Sequence, residues 1–264
     1  MKQVVLLTCL FLFAIPGFAY GGQPDSEPAL ILYHDGTGTI NLSDISTQPR
    51  NNRIVYYMFN VVLPKVFGIN IKFKPIMWSR GLELIKAGLA DGIISASFTD
   101  ERATYAVYPM KEGKPDPAKV MQLMEYSLYK HKNSTITWDG LKFDGIDGEI
   151  VSIKSYIIVK DLRKMGIVVQ EEPNMTWIMR NLAIGKFKSA AMQSSVCDDF
   201  LTKNPTLKEN IVKIEKPLKK KEYYLIFSKK FYNERNELAK AIWDAIEDYS
   251  SSDEYREMRK ELEK

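Results

Sequence analysis

The chain has 264 residues, with a hydrophobic fraction of 45%, a charged fraction of 27% and a formal net charge of +4. These values are typical of a globular protein. Lysines and glutamates are interspersed, which argues against a nucleic-acid-binding surface, and the densest basic stretch, Lys219–Lys221, is expected to be a solvated turn before a strand.

The N-terminus has the pattern of a signal peptide. Lys2 precedes an almost unbroken apolar run over residues 4–15, and Gly17 and Ala19 supply small residues before a cleavage site after Ala19. We therefore expect residues 1–19 to be removed and the mature protein to be periplasmic or secreted. A retained N-terminal anchor is the alternative. Cys9 leaves with the signal peptide, so Cys197 is expected to be a buried thiol without a disulfide partner.

The first part of the mature chain alternates between strand and helix patterns. A buried strand is predicted at 29–33, a polar loop at 34–48, a helix at 53–66, a strand at 69–73, a helix capped by Ser79 and ended by Gly88, and a strand at 91–97. Strands and helices alternating at this spacing predict βαβ units and a mainly parallel sheet.

The pattern pauses at residues 109–119, which are rich in proline, glycine and lysine. A long strand is predicted at 120–131, then strands at 149–153, 167–170 and 188–192 with helices at 155–165 and after Asn174, a strand at 222–227, a helix capped by Asn233 and a last helix capped by Ser252 or Asp253. Residues 84–95 and 181–192 share one pattern of helix end, glycine, turn and strand. This repetition favours two α/β lobes of similar construction.

One stretch carries a recognisable motif. Trp78-Ser79-Arg80 is followed by Leu82, Ile85, Gly88 and Asp91-Gly92, and then by Ser95-x-Ser97-x-Thr99-x-x-Arg102-x-x-Tyr105-x-x-Tyr108-Pro109. This pattern resembles the family 3 extracellular solute-binding proteins, the receptors of polar amino-acid ABC importers. Looser matches extend the resemblance over residues 30–249, as at Trp138-Asp139-Gly140-Leu141 and Tyr223-Tyr224.

The resemblance implies an α/β fold of the two-lobed periplasmic binding protein type. Each lobe is a mainly parallel sheet flanked by helices, and two hinge crossings join the lobes. Mapped onto this chain, lobe 1 spans 24–114 plus 224–264, and lobe 2 spans the inserted residues 115–223. The binding cleft would lie at the carboxyl ends of the strands, the usual binding edge of open α/β sheets.

The resemblance also assigns candidate ligand-binding residues. In the family, the arginine and serine that match Arg102 and Ser97 hold the carboxylate of the ligand. Ser95 lies on the same strand end, and Thr99 can cap the helix that carries Arg102. Tyr33 and Trp78 are candidates for an aromatic wall, with ordinary core packing as the alternative. For Arg102 the alternative is a surface ion pair with a nearby acid.

The second lobe departs from the family pattern in two places. Where the family has a glycine followed by Thr or Ser, this chain has Lys154, Ser155 and Tyr156, and Lys154 or Tyr156 is expected to fill part of the cleft. Where the family has an aspartate for the ligand's ammonium group, this chain has Gln193 and Ser194. A neutral residue cannot make the charge-assisted bond that an ammonium group requires. We therefore expect another small carboxylate or anion, or a loss of binding.

Three functions follow as hypotheses. The first is a monomeric, cofactor-free binding protein for a small polar, carboxylate-bearing or amino-acid-like solute, with a membrane permease or sensor as partner. The second is an enzyme on the same scaffold, such as a cyclic-acid dehydratase, with His34, Asp35, Glu125 and Lys154 as acid–base candidates but no recognisable catalytic motif. The third is a degenerate module used for protein contact, which a cleft filled by Tyr156 would favour.

Overall fold

A computed structural model describes residues 30–35 and 50–263 of the chain. The predicted signal peptide and most of the predicted loop at 34–48 lie outside these residues, whereas His34 and Asp35 belong to the first strand and not to a loop. The N-terminal part contains β1 (Leu30–Asp35), α1 (Arg50–Tyr57), a π-helical turn (Met58–Val62), α2 (Leu63–Phe67), β2 (Ile71–Ile76), α3 (Trp78–Lys86), β3 (Gly92–Ser97), α4 (Asp100–Ala103) and β4 (Ala106–Val107).

The central part begins with short pairs of strands and continues with a second βαβ series. It contains β5 (Met110–Lys111), β6 (Lys114–Pro115), a 3-10 turn (Pro117–Lys119), β7 (Gln122–His131), β8 (Thr137–Trp138), β9 (Phe143–Asp144), β10 (Ile150–Ile153), α5 (Ile157–Lys164), β11 (Val169–Glu172), α6 (Met175–Ala183), β12 (Ser189–Gln193), α7 (Ser194–Lys203), α8 (Pro205–Lys208) and β13 (Ile211–Lys213). The chain ends with β14 (Lys219–Ser228), α9 (Lys229–Glu234), α10 (Asn236–Ser250) and α11 (Asp253–Glu263).

The strands form two lobes that share one continuous sheet in the order β11-β10-β12-β7-β14-β3-β1-β2. The first lobe is built on the parallel strands β2, β1 and β3, and the second on the parallel strands β11, β10 and β12. The long strands β7 and β14 join them. They pair antiparallel where Gln122–Tyr126 faces Lys219–Tyr223, and these segments are the two hinge crossings. The two-lobed α/β fold expected from the sequence is confirmed, and the residue boundaries given for the lobes stay a prediction.

Two buried apolar clusters pack against the sheet, and one of them joins residues of both lobes, such as Ile93 and Leu182. In the first lobe, α1, α2 and α10 cover β1 and β14, and the indole of Trp243 on α10 donates a hydrogen bond to the backbone oxygen of Leu225 (2.9 Å). In the second lobe, α5, α6 and α7 cover β10 and β12. Cys197 on α7 is fully buried, as predicted, and its Sγ lies 3.6 Å from the Sδ of Met179.

Some helix boundaries differ from those predicted. Ser79 lies inside α3, whose N-cap is Met77, because the helix begins at Trp78, two residues before the predicted start. Asn233 lies inside α9, and the non-helical residue Arg235 separates α9 from α10. The predicted caps at Asn174 and Ser252 are confirmed, since their side chains accept the backbone N–H groups of Trp177 and Tyr255.

Within the described part of the chain, no helix is both long enough and apolar enough to cross a bilayer.

Candidate functional site

The carboxyl ends of β1 and β3 face β10, β12 and the start of α5 across the interlobe cleft. This cleft encloses a cavity of about 90 Å³. Six of the residues proposed from the sequence line it: Ser95, Ser97, Trp78, Arg102, Tyr156 and Gln193. Both lobes therefore contribute side chains to one enclosed polar space.

Ser95 is directed into the cleft by an irregularity in β3. The register between β3 and β14 shifts between Tyr224 and Ile226, and Ser95 adopts a φ of 60°. A bulge of this kind bends a strand and re-aims its side chains. The Ser95 hydroxyl accepts a hydrogen bond from Nε2 of Gln122 (2.8 Å), so the first lobe is tied here to the hinge strand β7.

Arg102 is the cation of the cleft. Thr99 caps the short helix α4 by accepting the backbone N–H of Arg102 (3.1 Å), which fixes where the side chain starts. Nη1 donates to the backbone oxygen (2.9 Å) and hydroxyl (2.8 Å) of Ser97, and the guanidinium lies 5.2 Å from the ring centre of Trp78. Arg102 is only 6% exposed, and among the described residues no carboxylate pairs with it. The site thus holds a buried positive charge that is hydrogen-bonded but not neutralised.

A further donor of Arg102 reaches across to the second lobe. Nη2 donates to the backbone oxygen of Ser155 (2.8 Å), and the same oxygen accepts a hydrogen bond from the indole Nε1 of Trp78 (3.2 Å). Ser155 has a φ of 64°, in the left-handed region that favours glycine. It therefore adopts a glycine-like conformation at the position where the sequence pattern lacked the family's glycine.

Tyr156 lies inside the cleft. Its ring packs edge-on against Trp78 and Tyr126, with centroid distances of 6.5 and 6.3 Å, and its hydroxyl donates a hydrogen bond to the carboxylate of Asp35. Asp35 also accepts the backbone N–H of Trp78 (3.1 Å). Asp35 as a whole residue is exposed to solvent, but its carboxyl group is desolvated. This desolvation raises the pKa of the carboxyl by more than the two hydrogen bonds lower it.

A second cavity adjoins the first between the lobes. Its volume is about 160 Å³, and the two cavities share Asp35, Tyr156, Gln193 and Val196 as lining residues. Met77, Met175 and Met192 form much of its apolar wall. We call the smaller space the inner chamber and the larger one the outer chamber.

Two buried polar groups of the inner chamber have no hydrogen-bond partner among the described residues. The Nδ1 of His34 lies 3.3 Å from the backbone oxygen of Asp35, and because a carbonyl only accepts, Nδ1 carries the proton and Nε2 is an unpaired acceptor. Desolvation lowers the pKa of His34, which keeps the ring neutral. The Nε2 of Gln122 donates to the Ser95 hydroxyl, whereas its Oε1 has no hydrogen-bond partner in the described part of the chain. Buried polar atoms of this kind normally have a partner, so the chamber is suited to a polar guest.

Tyrosines of the hinge strands complete the wall. The hydroxyls of Tyr126 on β7 and Tyr223 on β14 lie 2.6 Å apart, and Nε2 of Gln193 donates to Tyr223 (3.2 Å). Gln193 therefore bonds to hinge hydroxyls at the place where the family has an acid. Sequence reasoning missed Gln122 and Tyr126, because nothing distinguished them from other residues of buried strands, and it noted Tyr223 only as part of a family match and not as a site residue.

The other residues proposed from the sequence do not line the inner chamber. Thr99 acts as a helix cap, and Ser155 contributes its backbone oxygen. Ser194 is buried against Ser127, with 2.7 Å between their hydroxyls. Lys154 is exposed, and Tyr33 is half-buried against the apolar core.

The acid–base candidates are also separated. His34 and Asp35 line the inner chamber, whereas Lys154 does not, and Glu125 lies on β7 near Lys220 (3.6 Å) and the hydroxyl of Ser194 (3.5 Å). Burial raises the pKa of Cys197, which makes its thiol a poor nucleophile. In the described ranges, no three His, Cys, Asp or Glu residues are grouped so that they could hold a metal ion.

The fold was compared with solved structures. A histidine kinase sensor domain with similarity to periplasmic binding proteins matches with a TM-score of 0.66 at 15% identity, covering 88% of this chain and 95% of that one. The ligand-binding core of GluR0 from Nostoc punctiforme, solved with L-glutamate, matches with a TM-score of 0.61 at 15% identity, covering 88% and 96%. The amino-acid ABC transporter substrate-binding protein AbpA from Streptococcus pneumoniae, bound to L-arginine, matches with a TM-score of 0.60 at 16% identity, covering 88% and 93%.

Comparisons at the level of sequence gave nothing further. No protein-family model matches the chain, and no curated protein matches it. At identities this low, the structural matches show the fold alone. The chain therefore has the two-lobed fold of the periplasmic binding proteins, which is the fold that its resemblance to family 3 implied.

Proposed function

We propose that the protein is an exported binding protein that captures a small, carboxylate-bearing solute between its two lobes. The observation that carries this proposal is Arg102, a buried guanidinium in the cleft with no acidic partner in the described chain. A buried, unneutralised cation is costly, and a bound carboxylate would both neutralise it and accept its paired N–H groups. The solved structures of this fold that hold glutamate or arginine support a solute of this class.

The other polar groups narrow the chemistry of the solute. His34 and Gln122 offer unpaired atoms, and Asp35 supplies a carboxylate from the first lobe, whereas the second lobe supplies the neutral amide of Gln193. A solute with a carboxylate and a separate hydrogen-bond donor would satisfy both kinds of group. An amino-acid-like solute is therefore compatible with the site, with Asp35 of the first lobe as the acid that the second lobe lacks.

Size limits what the closed form can hold. An apolar cavity of roughly 150 Å³ holds benzene, and the inner chamber is about 90 Å³. Only a solute of a few heavy atoms fits without movement of Tyr156. A larger solute requires the outer chamber as well, since ligand pockets usually measure about 300–1,000 Å³.

The proposal includes export and a membrane partner. Cleavage after Ala19 would release a mature protein that begins at Tyr20, and mass spectrometry of the protein recovered from its native compartment tests this. A membrane permease or a sensor protein would then bind the closed form of the protein. The match to a sensor domain and the matches to transporter-linked receptors support the two partners equally.

A thermal-shift screen tests the solute class. The mature protein is screened against amino acids, small carboxylates and cyclic acids, with Arg102→Ala, Arg102→Lys and the exposed Arg80→Ala in parallel. At a hundredfold excess over its Kd, a true ligand should add about 2.7 kcal/mol of stability. The shift should vanish in Arg102→Ala, shrink in Arg102→Lys, which keeps the charge without the planar fork, and persist in Arg80→Ala.

A module for protein contact is the second candidate, and one observation favours it: Tyr156 occupies the cleft that a solute would need. If no solute in the library stabilises the wild-type protein, or if folded Arg102→Ala responds like wild type, the solute-receptor proposal is wrong. The enzyme hypothesis ranks below both, because His34 and Asp35 form no nucleophile–base arrangement with the other described residues of the chamber.

A further inference from the structure

We infer that the Ser155–Tyr156 turn acts as an internal occupant of the cleft, which holds the lobes closed in the absence of solute and sets the size of solute that the closed form accepts. This inference concerns the protein without ligand and goes beyond the proposed function. It rests on the contacts that this turn makes with the two charged groups of the first lobe.

The first contact replaces a ligand carboxylate. The backbone oxygen of Ser155 accepts hydrogen bonds from Arg102 (2.8 Å) and from the indole of Trp78 (3.2 Å). A carbonyl oxygen presents the same kind of acceptor as one oxygen of a carboxylate, but it carries no full charge. The turn therefore uses the donors of Arg102 without neutralising the guanidinium.

The second contact replaces a ligand donor. The hydroxyl of Tyr156 donates to the carboxylate of Asp35, as an ammonium or hydroxyl group of a solute would. Two consecutive residues of the second lobe thus engage both charged side chains of the first-lobe wall. These contacts join residues 53, 77 and 121 positions apart in sequence, so they fix the lobes relative to each other.

The conformation of the turn is adapted to this role. Ser155 adopts a φ of 64°, which is uncommon for a residue with a Cβ. Its N–H donates to Oε2 of Glu171 (2.8 Å) on β11, which anchors the turn within its own lobe. Strained backbone of this kind persists where the surrounding contacts determine it. At the rim of the cleft, Lys160 of α5 forms an ion pair with Glu101 of α4 and adds a further link between the lobes.

The ring of Tyr156 lines both chambers. It packs against Trp78 and Tyr126, and Tyr156 is one of four residues that the inner and outer chambers share. If the ring swings out, the two chambers and the volume of the ring give a space at the lower end of the usual range for ligand pockets. Tyr156 is therefore a specificity-determining residue, because a larger solute needs the space that its ring occupies.

This arrangement makes solute binding a competition. A solute that bonds to Arg102 and Asp35 must displace the turn, so its apparent affinity is reduced by the fraction of molecules in which the cleft is free. This consequence, unlike the solute-free closure, rests on the proposed function. Weakening the turn should therefore strengthen binding.

The test measures the distance between the lobes without any solute. Glu83→Cys on α3 and Lys164→Cys on α5 place spin labels at one exposed position on each lobe, while the buried Cys197 stays unlabelled. Pulsed electron–electron resonance is recorded for the wild-type background, for Tyr156→Phe and Tyr156→Ala, and for Trp177→Ala as a control on an exposed aromatic residue of the second lobe.

We expect one short distance in the wild-type background and in Trp177→Ala, a mixture in Tyr156→Phe and a longer, broader distribution in Tyr156→Ala. A wild-type protein that already shows the long distance overturns the inference, and so does a Tyr156→Ala variant that keeps the short one. These outcomes do not depend on any solute, so they are separate from failure of the proposed function.

A second arm titrates acetate as a carboxylate probe into the same labelled proteins. In Tyr156→Phe, acetate should bind roughly tenfold more tightly than in wild type, because one hydrogen bond to a charged group corresponds to about that factor. Equal or weaker binding in Tyr156→Phe contradicts the competition. If acetate binds to no variant but the distances between the spin labels are as expected, the proposed solute class is contradicted. The inference that the Ser155–Tyr156 turn holds the lobes closed is then still supported.

Discussion

Replacing Tyr156 with Phe isolates one hydrogen bond of the lobe interface. The variant keeps the ring that packs against Trp78 and Tyr126 and removes only the hydroxyl that donates to Asp35. A hydrogen bond to a charged group contributes about 1.5–3 kcal/mol to stability. We therefore expect the free energy of unfolding to fall by about that amount at a pH where Asp35 is ionised.

The effect should depend on pH in a defined direction. The hydrogen bond from Tyr156 lowers the pKa of Asp35, and desolvation raises this pKa by a larger amount. Because the hydrogen bond favours the charged carboxyl, the stability lost in Tyr156→Phe is largest when Asp35 is ionised. Once Asp35 is protonated, the bond is between neutral groups and contributes only about 0.5–1.5 kcal/mol. The difference between wild type and Tyr156→Phe should therefore shrink as the pH falls through the pKa of Asp35.

Urea unfolding at several pH values measures this difference, with Asp35→Asn and the double variant completing a thermodynamic cycle. At neutral pH the melting temperature should drop by about 2–4 °C for each kcal/mol lost in a chain of this size. Tyr33→Phe is the control, since its hydroxyl has no hydrogen-bond partner among the described residues. A Tyr156→Phe variant that unfolds within about 0.5 kcal/mol of wild type at every pH refutes the reasoning.

Three further predictions concern the site and its support. Because the folded state raises the pKa of Asp35, the native protein holds the carboxyl proton more tightly than the unfolded chain does. The stability that Asp35 contributes should therefore fall as the pH rises from about 4 through the native pKa. Urea unfolding of Asp35→Asn across that range should not show this decline. Ser155→Gly should raise the unfolding free energy by about 0.5–1 kcal/mol by relieving the left-handed φ of 64°, whereas Ser155→Val should lower it by about 1–2 kcal/mol; equal stabilities of the two variants contradict the strain. Gly92→Ala should cost about 1–3 kcal/mol in thermal unfolding, because the new Cβ would lie 2.9 Å from the backbone oxygen of Ile226 and 2.8 Å from the Leu32 side chain; an unchanged midpoint would show that β3 can shift.

The sequence allowed prediction of the elements whose patterns are strong and local. The strands β1, β3 and β10 each contain a short apolar run, and the cap at Asn174 is a short-range signal, so they appear in the structure within a few residues of their predicted bounds. Ser79 failed as a cap because the backbone N–H of Trp78 is already held by Asp35, a contact 43 residues away in sequence. Local chemistry cannot reveal such a partner.

The candidate site was predictable at the strand ends of the two lobes but not on the hinge strands. Arg102, Ser97 and Ser95 belong to a compact motif, and the structure brings them together around the inner chamber. Gln122, Tyr126 and Tyr223 lie on the hinge strands, whose residues reach the cleft only because β7 and β14 pair with each other. Their role depends on the register of two strands that are about a hundred residues apart, and no periodicity in either strand encodes it.

The path of the chain through the first lobe has a consequence for how the protein folds. The apolar core of this lobe joins Leu30 and Phe59, near the start of the described chain, to Leu225 and Trp243, near its end. The parallel strands β10, β11 and β12 all lie in one continuous stretch between β7 and β13. Contacts between distant segments form slowly, because the entropy of closing the intervening chain is lost before the contacts stabilise it. We therefore expect the core of the first lobe to form late, and a truncation before residue 219 would remove β14, the strand between β7 and β3.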